Sequence, residues 1–214
     1  MGRGARSAVV TGLVVAVLAG GLPGVVRAAP TLSTVAGSGA TWPTGGAFGG
    51  DGGLATASAA ALNRPAHAAA LPGGGYLIAD SSNQRIRKVS PNGVLSTVAG
   101  NGTQCPLSTD PCGDGGPPLS ASLNVPHDVQ PLPNGSFLIA DTFDNRVRKV
   151  SADGGVITTV AGTGLACTPA AEPCGHGGPA TAARLSLPLA LDPFPVGTSS
   201  WLTKATRLPR PTSE

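Results

Sequence analysis

The sequence predicts an all-β protein assembled from repeated four-stranded antiparallel sheets. The segment from Tyr76 to Gly100 recurs as Phe137 to Gly162, and both copies contain a strand-like run ending in Ala-Asp followed by a second run that begins with Arg. The 214 residues include 32 Gly and 21 Pro, and 3% of them are aromatic. Because such a composition is rich in turns and poor in large core side chains, it excludes a helical bundle.

Shorter motifs extend this repetition to three successive units. A Thr-Val-Ala-Gly motif, a Gly-rich tetrapeptide and a Leu-x-x-Pro motif each occur three times, beginning at Thr34, Thr97 and Thr159, at Gly50, Gly113 and Gly175, and at Leu62, Leu123 and Leu185. The spacing is 63 residues from Gly50 to Gly113 and 61 from Leu62 to Leu123. A fixed period of this length is typical of repeat architectures.

Each unit contains four strand candidates rather than a helical stripe. In the second copy they are DVQPL, SFLIAD, RVRKVS and VITTVAG, joined by the turn sequences PNG, TFDN and ADGG. Alternation places Val147 on the face opposite Arg146 and Arg148, so we expect one face in the core and the other facing solvent or a neighbouring charge. The SFLIAD strand alternates less, as a strand covered on both faces does.

A small sheet with two apolar faces needs similar sheets stacked beside it, and radial stacking of four-stranded sheets produces a β-propeller. The run GDGGPPLSASLNVPHDVQPLPNGSFLIADTFDNRVRKVSADGGVITTVAG resembles the repeats of NHL-repeat propellers, and the resemblance covers nearly all of residues 31–196. It implies an incomplete propeller, an open arc within residues 29–196. Its parts are a leading strand at 31–37, blades at 66–100 and 127–162, and the start of a third blade at 185–196.

The first 28 residues have the pattern of a secretory signal peptide. Arg3 and Arg6 precede an apolar run, and small residues lead up to a cleavage point before Ala29. The apolar run of about 15 residues falls short of the roughly 20 that a membrane-spanning helix needs. We therefore expect a secreted protein with no stable membrane insertion after cleavage.

The overall positive charge disappears with this leader. The chain has 14 Lys and Arg against 11 Asp and Glu, and removal of Arg3, Arg6 and Arg27 leaves 11 basic residues against 11 acidic ones. The mature chain then has no basic stripe and few aromatic side chains on which bases could stack. The sequence therefore predicts no nucleic-acid partner.

Repeated charged residues are interpreted as structural. Asp80 and Asp141 each end a strand, and Arg85 and Arg146 stand five positions later. We expect each Asp to accept turn N–H groups and to pair with its Arg, so that these residues set the turn geometry.

The Gly-rich loops carry Asp51, Asp114 and His176, and these loops are candidate binding loops. Some propellers of the NHL type resemble the lyase that amidates peptide hormones. In that lyase, histidines bind metal around the central axis. Here the three histidines, His67, His127 and His176, all occupy different repeat positions. The sequence therefore predicts no catalytic residue, no metal site and no cofactor.

Four cysteines recur at matching places in the second and third units. Cys105 and Cys112 bracket six residues that include Pro, and so do Cys167 and Cys174. An exported chain permits disulfides, and such short loops can fold back to join their ends. We predict the pairs Cys105–Cys112 and Cys167–Cys174; metal ligation is the alternative, which the six-residue spacing disfavours.

The repeat breaks off at residue 197. Residues 197–214 show no strand alternation. When the third base of each codon from Gly197 onwards is joined to the first two bases of the next codon, however, the codons up to Thr203 permit Asp-Phe-Leu-Val-Ala-Asp. We therefore interpret 197–214 as a disordered, non-repeat tail. It would arise from a frameshift that truncates a longer repeat protein. The downstream nucleotide sequence tests this: a shifted frame without further repeats would contradict it.

These expectations favour a secreted, non-catalytic propeller fragment that binds a protein or glycan. The alternatives are a fragment of a propeller lyase and a non-functional product of a frameshifted gene. An open arc also leaves strand edges exposed, so we expect self-association through them.

Overall fold

Two four-stranded antiparallel sheets form the body of the protein. The computed structural model describes residues 33–39, 48–108, 110–168, 174–175 and 177–192, and the backbone of 202–203. The predicted signal peptide, His176 and the tail apart from 202–203 lie outside the described residues. The first sheet contains β1 (Pro65–Ala70), β2 (Tyr76–Asp80), β3 (Arg85–Val89) and β4 (Leu95–Ala99). The second contains β5 (Pro126–Pro131), β6 (Phe137–Asp141), β7 (Arg146–Val150) and β8 (Ile157–Ala161).

Both sheets are meanders in which the strand order follows the chain. The all-β prediction is confirmed, with open rather than closed sheets, and the described residues contain no α-helix. The same described residues contain short 3-10 helices between strands, at Ser81–Asn83, Pro118–Ser120, Thr142–Asp144 and Ala180–Ala182. The turns from β2 to β3 and from β6 to β7 end in Gln84 and Asn145, which have φ values of 54° and 49°. Asn is one of the few non-Gly residues that tolerate this left-handed conformation well.

The core lies between the sheets. Leu77, Ala79 and Ile86 of the first sheet form one buried cluster with residues of the second sheet that include Ile139 and Ile157. The opposite face of the second sheet forms another cluster, which includes Leu138, Val147 and Leu191. The second sheet is therefore buried on both faces, as predicted for β6, all five of whose residues are buried.

Hydrogen bonds repeat at each junction between units. Ser81 Oγ donates to the carbonyl of Pro126 at 2.5 Å, and Thr142 Oγ1 donates to that of Pro188 at 2.7 Å. In the same way the backbone N–H of Val125 donates to Gln84 Oε1 at 2.6 Å. Each polar turn thus holds the start of the following unit.

The predicted leading strand differs from expectation. Residues 33–37 of it are described, and they form no strand. In each complete sheet the fourth strand pairs with the third strand of the same sheet, and no such partner precedes this segment in the described residues. Ala36 is nevertheless buried against the first sheet, and Gly37 N donates to the Ala55 carbonyl at 2.8 Å.

The third unit continues the pattern as far as β9 (Leu191–Asp192), which pairs with β10 (Leu202–Thr203). Leu191 pairs with Thr203, whereas Val129, its counterpart in the second unit, pairs with Ile139. The partner lies twelve residues ahead in the third unit and ten in the second, so the pairing in 202–203 departs from the repeat register by two residues.

Packing between the sheets predicts that two leucines in one connection contribute very different amounts to the free energy of unfolding. Leu123 is completely buried between the sheets, whereas Leu119 is 57% exposed. We expect Leu123→Ala to lower the free energy of unfolding by about 2–5 kcal/mol because it leaves a cavity, and Leu119→Ala to change it by about 0.5 kcal/mol or less. Urea unfolding followed by circular dichroism measures both, and equal effects would contradict the packing described.

Candidate functional site

A buried arginine joins three segments of the first unit. Arg87 on β3 is fully buried, and its Nη1 lies 3.2 Å from Asp80 Oδ2 at the end of β2. Its Nη2 lies 2.7 Å from Asp51 Oδ1 in the Gly-rich loop, and it also donates to the Gly49 carbonyl at 3.0 Å. We call this arrangement of one guanidinium between two carboxylates the arginine clamp.

The second unit contains the same clamp. Arg148 on β7 is fully buried, with Nη1 3.6 Å from Asp141 Oδ2 and Nη2 2.6 Å from Asp114 Oδ1. Arg148 Nε donates to the same Asp114 oxygen at 3.0 Å, so two N–H groups of the guanidinium converge on that oxygen. Asp114 Oδ2 accepts the backbone N–H of Thr159 on β8 at 2.9 Å. The clamp therefore fastens the loop to both the interior and the outer strand.

The Gly-rich loop that supplies the outer carboxylate also covers the edge of its sheet. Gly52 N donates to the Leu95 carbonyl and Leu95 N to the Gly53 carbonyl, each at 2.9 Å. Gly50 has φ of +85°, and a Cβ there would lie 2.6 Å from Ala60 Cα. Glycine is therefore required for the loop to pass this close, and the loop protects part of the exposed edge of β4.

The predicted pairing partners of the strand-end aspartates are wrong. Asp80 pairs with Arg87 rather than Arg85, and Asp141 pairs with Arg148 rather than Arg146. The first arginine of each strand points to carbonyl oxygens of neighbouring loops: Arg85 Nη2 donates to Asn101 at 2.8 Å. The arginine two residues later lies in the interior, where a buried carboxylate needs a counterion.

The backbone groups that bind these aspartates also differ from expectation. Asp80 Oδ1 accepts the N–H of Asn63 and Asp141 Oδ1 accepts that of Asn124, each at 2.7 Å. Both N–H groups belong to the connection before the sheet, not to the turn that follows the aspartate. Burial raises the pKa of Asp80 above its ordinary value, although the hydrogen bonds from Asn63 and Asn83 and the charge of Arg87 oppose the rise.

The candidate binding-loop residues Asp51 and Asp114 have their carboxylates occupied within the chain. Besides Arg87, Asp51 binds Thr97, whose Oγ1 donates to Asp51 Oδ2 at 2.8 Å. These contacts hold the Gly-rich loops in place. His176, the third candidate, lies outside the described residues.

A histidine–carboxylate pair connects the first strands of the two sheets. His67 Nδ1 on β1 lies 2.6 Å from Asp128 Oδ1 on β5, and Asp128 Oδ2 accepts the N–H of Leu191 at 2.6 Å. The hydrogen bond to Asp128 raises the pKa of His67, against the lowering effect of burial. Sequence reasoning missed this pair, although the two residues occupy the same repeat position and such positions lie side by side when sheets stack.

A cleft of about 640 Å³ lies between the sheets at the hairpin turns. Its apolar lining includes Leu71, Leu77, Val98, Leu119, Leu132 and Phe137. Lys88 and Asp153 contribute charged groups to the same cleft.

Both predicted disulfides are confirmed. Cys105 is bonded to Cys112 and Cys167 to Cys174, and each pair has a Cα–Cα distance of 5.6 Å. This distance is within the ordinary range for disulfides. Cys105, Cys112 and Asp144 also form a group with metal-ligand spacing, but the two sulfurs are bonded to each other and offer no thiolate.

Four large apolar side chains near these disulfide loops face solvent. They are Leu107, Phe143, Leu165 and Leu187, with exposed fractions of 62%, 50%, 42% and 46%. We call this group the stapled-loop surface.

The segments that carry the stapled-loop surface meet at the turn between β6 and β7. Arg146 Nη1 donates to the Asp110 carbonyl at 2.6 Å, which ties the first disulfide loop to the turn. Asn145 Nδ2 donates to the Gly164 carbonyl at 3.3 Å, and Asn145 Oδ1 accepts the N–H of Leu187 at 3.0 Å. Tertiary contacts thus bring together residues far apart in sequence.

Comparison with known proteins gives partial matches. No protein-family model matches the chain. Teneurin-1 of Mus musculus is 35% identical over 72 residues, which cover 31% of this chain and 3% of that protein. Teneurin-1 of Gallus gallus is 32% identical over 109 residues, covering 50% of this chain and 4% of that protein. The chain therefore spans a small fraction of the curated relatives it matches.

One solved structure with a partial match is a protein of unknown function from Bacteroides thetaiotaomicron VPI-5482. It is 21% identical, has a TM-score of 0.43, and matches over 55% of this chain and 27% of its own.

Among the described residues we find no helix with the length and hydrophobicity that a membrane span requires.

The clamp predicts that two neighbouring cationic residues on β7 contribute very different amounts to the free energy of unfolding. Arg148→Met removes the counterion that Asp114 and buried Asp141 share, so we expect the free energy of unfolding to fall by about 3–5 kcal/mol. Lys149→Met is the matched control, and we expect a change of about 0.5 kcal/mol or less. Urea unfolding at neutral pH measures both, and a loss for Arg148→Met as small as that for Lys149→Met would contradict the clamp.

Proposed function

We propose that the chain is an exported, non-catalytic binding module of the NHL-repeat propeller type, and that it binds another protein through the stapled-loop surface. The observation that carries this proposal is the set of exposed Leu and Phe side chains on loops held by disulfides and by tertiary hydrogen bonds. Exposed apolar groups of this kind mark protein interaction sites.

The contacts that hold the ends of the first disulfide loop support a binding role. Cys105–Cys112 closes a loop whose Asp110 carbonyl is also fixed by Arg146. A loop ordered before binding loses less conformational entropy when its partner arrives. Leu107 at this loop therefore remains presented to solvent without a large ordering cost.

Export is supported by the chemistry of the cysteines. All described cysteines are in disulfides, which persist in oxidising compartments. The predicted signal peptide is consistent with the same location.

Protein rather than glycan is the favoured partner because three of the four exposed side chains are leucines. Leucine offers apolar area but no polar group for hydroxyls and no ring for stacking. The clamp aspartates, which could have bound sugar hydroxyls, are already paired with arginines.

Variants of the secreted protein test this proposal. Three proteins are compared: the wild type, the double variant Leu107→Ser/Phe143→Ser, and the control Leu54→Ser. Leu54 is a similarly exposed leucine (58%) that follows the Gly-rich loop of the first unit. Each protein is immobilised and exposed to the extracellular proteins of the producing culture, and each is also applied to a glycan array. We expect the wild type and the control to bind the same protein. The double variant is expected to lose at least about tenfold in affinity, because it lacks two apolar side chains that become buried only against the partner. Equal binding by all three proteins, or binding to glycans alone, would contradict the proposal.

A further inference from the structure

One position in the polar turn differs between the two sheets in a way that changes its chemistry. In the first sheet Asn83 Nδ2 donates to Asp80 Oδ2 at 2.9 Å. The equivalent residue in the second sheet, 61 positions later, is Asp144. An ionised carboxylate has no N–H to donate, so the hydrogen bond of the first sheet cannot form in the same way.

The carboxylates of Asp141 and Asp144 are both completely buried. Asn124 supplies one donor to each: its backbone N–H binds Asp141 Oδ1 at 2.7 Å and its Nδ2 binds Asp144 Oδ1 at 3.0 Å. The remaining oxygens, Oδ2 of both residues, are buried without a hydrogen-bond partner; Arg148 Nη1 lies 3.6 Å from Asp141 Oδ2, an ion-pair distance too long for a hydrogen bond. In the first sheet these same two positions are joined by the Asn83–Asp80 hydrogen bond.

The charge balance of the two clusters also differs. The first sheet places two arginines against two carboxylates, Arg85 and Arg87 against Asp80 and Asp51. The second places two arginines against three, Arg146 and Arg148 against Asp141, Asp144 and Asp114. The adjacent Cys105–Cys112 disulfide carries no charge. One proton added to the second cluster would restore the balance.

We propose that Asp141 and Asp144 hold one proton between their Oδ2 atoms, so that the second sheet carries a proton-binding site that the first sheet lacks. The proton converts one carboxylate into an O–H donor, and this donor replaces the amide N–H of Asn83. Both Oδ2 atoms then gain the hydrogen-bond partner that they otherwise lack. The site goes beyond the proposed binding function and does not depend on it.

The pKa directions agree with this geometry. Burial, followed by the charge of Asp144, raises the pKa of Asp141 to about 7, although Asn124, Arg148 and Arg146 act in the opposite direction. Burial also raises the pKa of Asp144. Because the two carboxyls share a site, the proton belongs to the pair rather than to either residue.

The sign of the pH effect follows from linkage. Between the ordinary Asp value of about 3.9 and about 7, the folded protein holds this proton and the unfolded chain does not. Stability from the pair is therefore fully present at the acidic end of this window and is lost as pH rises towards 7. Where the folded and unfolded states differ by one bound proton, the folding equilibrium constant falls about tenfold for each unit by which the pH rises.

Exchanging the two turn residues tests the site with matched variants. D144N gives the second sheet the chemistry of the first, and N83D gives the first sheet the chemistry of the second. Urea unfolding of the full chain is measured at each pH from 5 to 8, and the free energy of unfolding is compared across this range. We expect it to fall less steeply with pH in D144N, and more steeply in N83D, than in the wild type. The same dependence of the free energy of unfolding on pH in all three proteins would overturn the proposal.

A direct titration of the wild type gives a readout that does not depend on variant folding. Carbon-13 NMR of the Asp carboxyl carbons is expected to show the signals of Asp141 and Asp144 moving together in one titration step above the ordinary Asp range, while the signal of the exposed Asp153 moves below that range. Titration of every aspartate in the acidic range, with Asp141 and Asp144 both ionised at pH 6, would also overturn it.

Discussion

The buried guanidinium between two carboxylates is the interaction on which the rest of the structure depends. Arg148 connects the end of β6 to the Gly-rich loop, and through Asp114 it reaches β8 as well. A guanidinium taken out of water is costly unless its donors are satisfied. The loop is therefore tied to the sheet by the need to satisfy the arginine, and the covered sheet edge follows from that tie.

Stacking of the units depends on the same turns that hold the clamp. The Asp that ends β2 binds Arg87, while Ser81 and Gln84 immediately after it bind the start of the next unit. One short segment thus serves both the interior of its own sheet and the junction with its neighbour. This explains why the Ala-Asp strand end and the following polar turn recur together along the chain.

The repeat period and strand alternation were sufficient to predict the two sheets, and the recurrence of the cysteines was sufficient to predict the disulfides. The clamp partner was not predictable in this way, because Arg85 and Arg87 lie on the same face of β3 and alternation cannot say which one reaches the interior. The pairing of Asp51 with Arg87 spans 36 residues, so local turn rules carry no information about it. The His67–Asp128 pair depends on lateral packing of units, which a period alone does not describe.

Hydrogen exchange at arginine side chains tests the clamp most directly. Nitrogen-15 NMR in deuterated water follows the Nε–H of Arg148, which is buried and bound to Asp114, beside that of the exposed Arg184. The account predicts that the Arg148 Nε–H exchanges as slowly as the core amides of β6, while that of Arg184 exchanges at once. Exchange of Arg148 as fast as Arg184 would show that the guanidinium is open to water, and the central claim would be wrong.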